Sequence, residues 1–231
     1  MKLTTEGEAL LQFVKGSLEI EGMALSKIQR AAKDSITEVS ISGPSSILRS
    51  RVIPNLVKLK SRFPLLRFKF DLSDTENHVD KLKTGQCDFA LLEQHHVTRE
   101  MDFKILKAER YCLYGPASWK RRLLPEIFKS EPIIDFNLSD IVTTHYLEKY
   151  RLKSKAGKER HYANNSDALI SMVSAGLGYS VISEELAAPE VKSGKIIRLG
   201  ENQFYDLKIA LAWYPRAEKP AYFEAVINSI D

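Results

Sequence analysis

The stretch Glu38-Val39-Ser40-Ile41-Ser42-Gly43-Pro44-Ser45-Ser46 decides the fold class. Val39 and Ile41 alternate with Ser40 and Ser42, the period of a strand with one buried face. Gly43-Pro44 breaks the strand. Ser45-Ser46 can then cap a helix running through Ile47, Leu48, Val52, Ile53, Leu56, Val57 and Leu59. Pro54 lies inside that run and predicts a kink or a short first segment. After Phe63-Pro64, the residues Leu66, Phe68, Phe70 and Leu72 alternate with Arg67, Lys69 and Asp71, which is a second strand. Residues 74–84 read as a helix with Val79 and Leu82 on one face, closed by Gly85 in the usual C-terminal position. Residues 88–93, Asp-Phe-Ala-Leu-Leu-Glu, read as a buried strand. Strand, helix, strand, helix, strand at this spacing is the order of right-handed βαβ units on a parallel sheet.

The same reading extends in both directions. Downstream, strands are expected at 103–107, 110–114, 132–136, 159–163 and 208–213, and helices at 139–152, 166–175 and 217–229. Upstream, residues 5–34 read as one long helix without Pro. Leu11, Val14, Leu18, Leu25 and Ile28 form an a/d stripe along it. Thirty helical residues span about 45 Å, too long to hide in a small domain, so the stripe is expected to pair with another helix or another chain. Gly7, Gly16 and Gly22 each cost the helix about 1 kcal/mol of propensity, which makes it dependent on that packing.

Composition bounds the function. With 231 residues, 44% hydrophobic and 28% charged, the chain can build one large domain or two small ones. A net charge of +4 is far from that of a chain coating itself in nucleic acid. Cys87 and Cys112 cannot make a disulfide framework and suit a reducing compartment. No apolar run reaches the ~18 residues that span a bilayer, and the first residues carry no secretory h-region. The expected location is therefore cytoplasmic, with no membrane contact.

Catalytic signatures are scarce. The chain has no Gly-x-Gly-x-x-Gly, Walker loop, His-Glu-x-x-His or Gly-x-Ser-x-Gly. His95 and His96 are adjacent, and adjacent side chains at a strand end point to opposite sides, a poor geometry for one metal. No metal site, cofactor or catalytic residue is expected. The basic run Lys149, Arg151, Lys153, Lys155, Lys158 and Arg160 reads as a solvated helix end and loop. Two polar turns, Gly43-Pro44-Ser45-Ser46 and Asn164-Asn165-Ser166, place hydroxyls, amides and free N–H groups at helix starts. They can serve as caps or as ligand donors. In open α/β sheets ligands also settle at the carboxyl ends of strands.

Several stretches, taken in order, resemble one family. Leu3-Thr4-Thr5-Glu6-Gly7-Glu8-Ala9-Leu10-Leu11 is similar to the Leu-Thr-x-x-Gly-x-x-Leu stretch that leads from the winged helix-turn-helix of LysR-type transcriptional regulators into their linker helix. Ile53-Pro54 with Phe63-Pro64 resembles the first helix of their effector domain. Leu82-Lys83-Thr84-Gly85-Gln86-Cys87-Asp88-Phe89-Ala90 resembles its Leu-x-x-Gly-x-x-Asp-hydrophobic-Ala motif. Val173-Ser174-Ala175-Gly176-Leu177-Gly178-Tyr179-Ser180-Val181-Ile182 resembles its Val-x-x-Gly-x-Gly motif, and Gly194-Lys195-Ile196 follows in place. Ser183 stands where the family often has Pro.

The resemblance implies an α/β fold of two Rossmann-like subdomains of the type-2 periplasmic-binding-protein kind, joined by a two-crossing hinge and preceded by a long linker helix. The linker would be 1–35, with the end of the winged helix-turn-helix at 1–5. The first subdomain would be 36–134 with 209–231, the second 135–208, and the crossings would lie near Asp135 and Ala210. The implied function is effector binding and oligomerisation for a DNA-binding regulator. The implied partners are a small-molecule effector (a carboxylate or an amino acid), a homodimer or tetramer, and DNA through an N-terminal domain upstream of this chain. By position, the cleft residues would be Ser45, Ser46, His95, His96, Asp135, Asn137, Asn164 and Ser166. The serines would supply hydroxyl donors, and a charged His95 or His96 would meet a carboxylate. Asp135 would face an effector amine or serve the hinge. A transporter's solute-binding protein shares the fold and is the alternative. An enzyme on this fold is a more distant one.

Overall fold

A computed structural model describes residues 4–31, 36–74, 77–138, 140–216 and 218–231. The chain opens with a long helix, α1 (Thr5–Ala31). Leu11, Val14 and Leu18 on it are exposed, so the first half of the apolar stripe meets no core of its own chain. The Leu25 and Ile28 side chains and residues 32–35 lie outside the described part.

The first lobe begins with β1 (Thr37–Gly43), whose Val39 and Ile41 are buried. A single helical run then covers residues 45–61, but its hydrogen-bond pattern changes along the way. It starts as α2 (Ser45–Ile47), widens into a π turn at Leu48–Val52, returns as α3 (Ile53–Leu56) and tightens to 3-10 at Val57–Ser61. Pro54 has no N–H to give an i−4 carbonyl, and the widened turn just before it accommodates the loss. Next come β2 (Leu66–Leu72), α4 (His78–Lys83), β3 (Phe89–Glu93) and β4 (Asp102–Ile105). α4 starts four residues later than the sequence pattern suggests, because Asn77 caps it by accepting the Val79 and Asp80 N–H groups. Gly85 follows it at φ +70°, a left-handed conformation that disfavours other residues.

The chain crosses to the second lobe over residues 106–108. There follow β5 (Glu109–Pro116), α5 (Leu124–Ser130), β6 (Ile133–Asp135), α6 (Ile141–Lys149), β7 (Arg160–Tyr162), α7 (Ser166–Ser174), β8 (Ser180–Ser183), α8 (Glu184–Lys192), β9 (Ile196–Arg198) and β10 (Tyr205–Leu207). The chain returns between Leu207 and Ile209 and ends with β11 (Ile209–Trp213) and α9 (Ala221–Ser229).

The sheet of the first lobe has the order β2-β1-β3-β11-β4. β2 and β3 flank β1 in parallel, as the βαβ reading requires, and β11 inserts antiparallel between β3 and β4. Phe89, Trp213 and Phe223 anchor its core, with Phe89 and Phe223 ring centroids 4.3 Å apart. Burying side chains of this size stabilises by about 1.5–3 kcal/mol each. In the second lobe β5 is paired by β8, β9 and β10, and β6 pairs with β7. The Gly176–Gly178 segment packs closely against this lobe, since a Cβ on Gly178 would stand 2.4 Å from the Pro132 carbonyl oxygen.

One expected boundary is corrected. The first crossing lies at 106–108 and not near Asp135, because β5 hydrogen-bonds to β8, β9 and β10 and so belongs with the second lobe. An apolar strand at 109–116 carries the same pattern in either sheet, so the pattern cannot assign it. Asp135 sits inside the second lobe, at the end of β6.

Candidate functional site

The two lobes enclose a cavity of about 730 Å³. Its walls come from the carboxyl ends of β1 and β3, the first residues of β5, the end of β8 and the starts of α6 and α7. Leu91, Val181, Leu207 and Ile209 give it an apolar floor, with Ser46, Asp74, His78, Glu93, His96, Glu109, Asn137, Asp140, Ser166 and Ser183 among the polar groups around it.

Asp74 joins the two lobes at this cleft. The Ser45 N–H donates to its Oδ1 at 2.7 Å, and the Ser45 hydroxyl to its Oδ2 at 2.7 Å. The Ser166 hydroxyl donates to the same Oδ2 from the other lobe at 2.8 Å. Two ion pairs also cross the gap. Arg49 donates to both carboxylate oxygens of Asp167 at 2.9 Å. Arg51 pairs with Glu185 at 2.7 Å, and its guanidinium also donates to the Lys107 and Ala108 carbonyls of the crossing segment. Arg51 is buried, so its contacts are less screened than the exposed Arg49 pair.

Glu109 opens β5 at the wall of the cavity and is 1% exposed. Its Oε2 accepts the Tyr111 hydroxyl at 2.8 Å, while Oε1 has no hydrogen-bond partner among the described residues. Burial pushes its carboxyl above the usual carboxylate range, against the opposing pull of the Tyr111, Ser46 and Ser183 hydroxyls. His78 is held by Ser42, whose hydroxyl lies 2.8 Å from Nδ1 and donates to Asp71 at 3.1 Å. Burial pushes the His78 pKa down, which keeps the ring neutral.

Four of the residues chosen from the sequence line the cavity: Ser46, His96, Asn137 and Ser166. Ser45 lies buried beside it, bonded to Asp74. His95 is exposed at 3.4 Å from Glu93, its ring 3.9 Å from that of His96. Asn164 is exposed, and its neighbour Asn165 caps α7 by accepting the Asp167 and Ala168 N–H groups at 3.1 and 3.0 Å. Asp135 does not line the cavity. It pairs with Arg160 at 2.6 Å inside the second lobe. That pair, together with Lys149 on the Phe204 carbonyl and Lys153 on Glu148, engages half of the basic run within the chain.

Asp74 and Glu109 escaped the sequence reading. Asp74 had a signal, since it follows the carboxyl end of β2, where ligand-facing residues gather. Glu109 had none beyond a charge at the start of an apolar strand.

Residues 33–231 match the LysR substrate binding domain. The chain belongs to that family. It is therefore the effector-binding domain of a LysR-type transcriptional regulator, with the two-lobed periplasmic-binding-protein-like fold, and a transporter's solute-binding protein is not favoured. Solved structures agree on the fold. ArgP from Mycobacterium tuberculosis superposes with a TM-score of 0.73 at 16% identity, over 98% of this chain and 76% of that one. LysG from Corynebacterium glutamicum, full length with bound effector Arg, gives 0.69 at 16% identity over 99% and 78%. The C-terminal domains of a LysR family protein from Agrobacterium tumefaciens give 0.69 at 14% identity over 84% and 94%. No curated protein matches the chain. Among the described residues no helix is long and apolar enough to cross a membrane.

Proposed function

We propose that this LysR-type domain senses its small molecule in the 730 Å³ cavity between the lobes, and that the ligand acts by changing how the lobes meet. The observation that carries the reading is Asp74, whose one carboxylate accepts from Ser45 of the first lobe and Ser166 of the second. A ligand that competes for or reinforces these contacts has different affinities for the closed and opened arrangements, which is the only way it can shift them. Ser46, His96, Asn137 and Ser166 are the ligand contacts among the residues chosen from the sequence. Ser45 acts through Asp74. An amino-acid effector suits the cavity size, and the bound Arg of LysG supports that class.

The exposed Leu11, Val14 and Leu18 of α1 are the contacts of a homodimer or tetramer, and DNA contact belongs to a part of the regulator outside this chain. Cytoplasmic residence follows from a regulator's task. No catalytic role is assigned. Cys87 and Cys112 are buried, with thiols pushed up to about 12, and neither lines the cleft. A thiol held protonated is a poor nucleophile.

A thermal-shift screen of amino acids and small carboxylates tests the site. A stabilising ligand is expected, and Ser46→Ala combined with Ser166→Ala should remove most of its shift. A double variant that responds like the parent contradicts the assignment. For the oligomer, light scattering that gives the mass of one 26.2-kDa chain at high concentration would contradict the helix pairing.

A further inference from the structure

The helical run of the first lobe sends two arginines to the second. Arg49 and Arg51 stand two positions apart on the π turn at Leu48–Val52, a spacing that aims side chains in different directions. Each reaches an acidic residue in the first turn of a second-lobe helix, Asp167 in α7 and Glu185 in α8.

The two pairs are built differently. Arg51 is 8% exposed, and every nitrogen of its guanidinium is engaged. Its Nε donates to both Glu185 oxygens at 2.9 Å, its Nη1 to the Lys107 carbonyl and its Nη2 to the Ala108 carbonyl at 3.2 Å. One planar group thus ties the first lobe, the crossing at 106–108 and the start of α8 to one another. A lysine ammonium has no fork to do the same. Arg49 and Asp167 are 44% and 60% exposed, and Nη2 alone makes the contact, at 2.9 Å to each oxygen. Asp167 follows Ser166, so this pair sits where the lobes meet over the cleft and not at the crossing.

A rotation about the crossing moves each atom in proportion to its distance from the axis. Contacts to the crossing itself persist through the rotation, and contacts over the cleft part. Dissolved salt acts in the same order, because it screens an exposed pair far more than a buried one.

We propose that Arg51 is the positioning residue that fixes the pivot of lobe movement, and that Arg49–Asp167 is a latch over the cleft that loosens as ionic strength rises. The proposal rests on the reading that the domain responds by changing how its lobes meet. Asp74 and Ser166 form a parallel bridge whose donor is a neutral hydroxyl, so the ion pair is the salt-sensitive member of the two.

Dyes on Lys83→Cys in the first lobe and Lys192→Cys in the second, both exposed positions, report the separation by energy transfer. The labelled intact chain is diluted into unlabelled chain, and the native Cys87 and Cys112 are buried. From about 0.1 M to about 1 M NaCl the screening length falls from about 10 Å to about 3 Å. Over that range the distance should lengthen and broaden, and more so in Ser166→Ala, which lacks the parallel bridge. Arg49→Gln should begin at the parent's high-salt distance and ignore salt, whereas Arg49→Lys keeps the charge and should keep the response. Arg51→Lys keeps its charge without the fork. It should broaden the distribution at every salt concentration and leave the response through Arg49 in place, with a melting curve to verify the fold. No salt response in either the parent or Ser166→Ala overturns the latch, and so does a response in Arg49→Gln equal to the parent's. The parent's distribution in Arg51→Lys overturns the pivot. The thermal-shift screen is independent of these distances. A stabilising ligand found there, with distances that ignore salt, removes the latch and leaves the cleft reading standing. A salt response without any stabilising ligand does the reverse.

Discussion

Two polar turns feed helices toward the cleft from opposite lobes, and the comparison between them is instructive. At 164–166 the solution is local: Asn165 accepts the N–H groups of Asp167 and Ala168, two and three residues ahead. At 43–46 no side chain caps the helix from the preceding position, where Pro44 stands. Ser45 instead sends its N–H and its hydroxyl to Asp74, twenty-nine residues on. Asp74 then reaches past its own lobe and takes the Ser166 hydroxyl as well. A remote cap has spare acceptor capacity and can bind across a gap, whereas a local cap has spent its oxygen on its own helix. The difference leaves the first turn dependent on an acceptor that also spans the lobes, while the second turn keeps its own cap and lends only the Ser166 hydroxyl to the bridge.

The largest effect should come from removing the remote cap. Asp74→Ala strands the Ser45 N–H beside buried surface and deletes three charge-assisted hydrogen bonds, so a loss of about 3 kcal/mol is expected in urea unfolding. A loss no larger than that of Asn165→Ala would break the comparison.

Glu109 supplies the contrasting carboxyl, buried at the cavity wall with the Tyr111 hydroxyl on its Oε2. Its folded pKa is raised, so the unfolded chain ionises first as pH rises. The stability its protonated form retains is present below the unfolded value and lost as pH climbs through the folded one. The decline should reach at most about 1.4 kcal/mol per pH unit in that window. Glu109→Gln should flatten that part of the profile, measured as urea midpoint against pH. An unchanged slope means the carboxyl already ionises normally.

Asn165→Ala should cost about 1 kcal/mol, the usual value of a helix N-cap, with little change in how the lobes meet. Ser166→Ala is expected to be the mildest, about 0.5 kcal/mol in global stability, because the hydroxyl it removes is one of three donors to Asp74 and Asn165 still caps the helix. Differential melting of the two variants ranks them, and the reverse order would contradict the division between cap and bridge.

The same distinction between near and far explains how much could be read from the sequence. Val39 and Ile41, the alternation in β2 and Gly85 after α4 are local patterns, and the βαβ reading of residues 38–93 follows from them. The membership of β5 is a tertiary choice, and its apolar run looks alike in either sheet, so the first crossing is at 106–108 and not at Asp135. At the site, the strand-end rule locates regions but not individual residues. His96 lines the cavity while its neighbour His95 faces solvent, and Asn165 does the capping next to the exposed Asn164. Asp74 and Glu109 owe their roles to partners on other elements, which no local pattern announces.

Asp74 ties the two lobes across the cleft through Ser45 and Ser166. Spin labels at Lys83→Cys in the first lobe and Lys192→Cys in the second, both exposed positions, would report the separation by pulsed electron resonance. The parent should give one narrow distance distribution, and Asp74→Ala should shift it to longer and broader values. Identical distributions in the two proteins would contradict the claim.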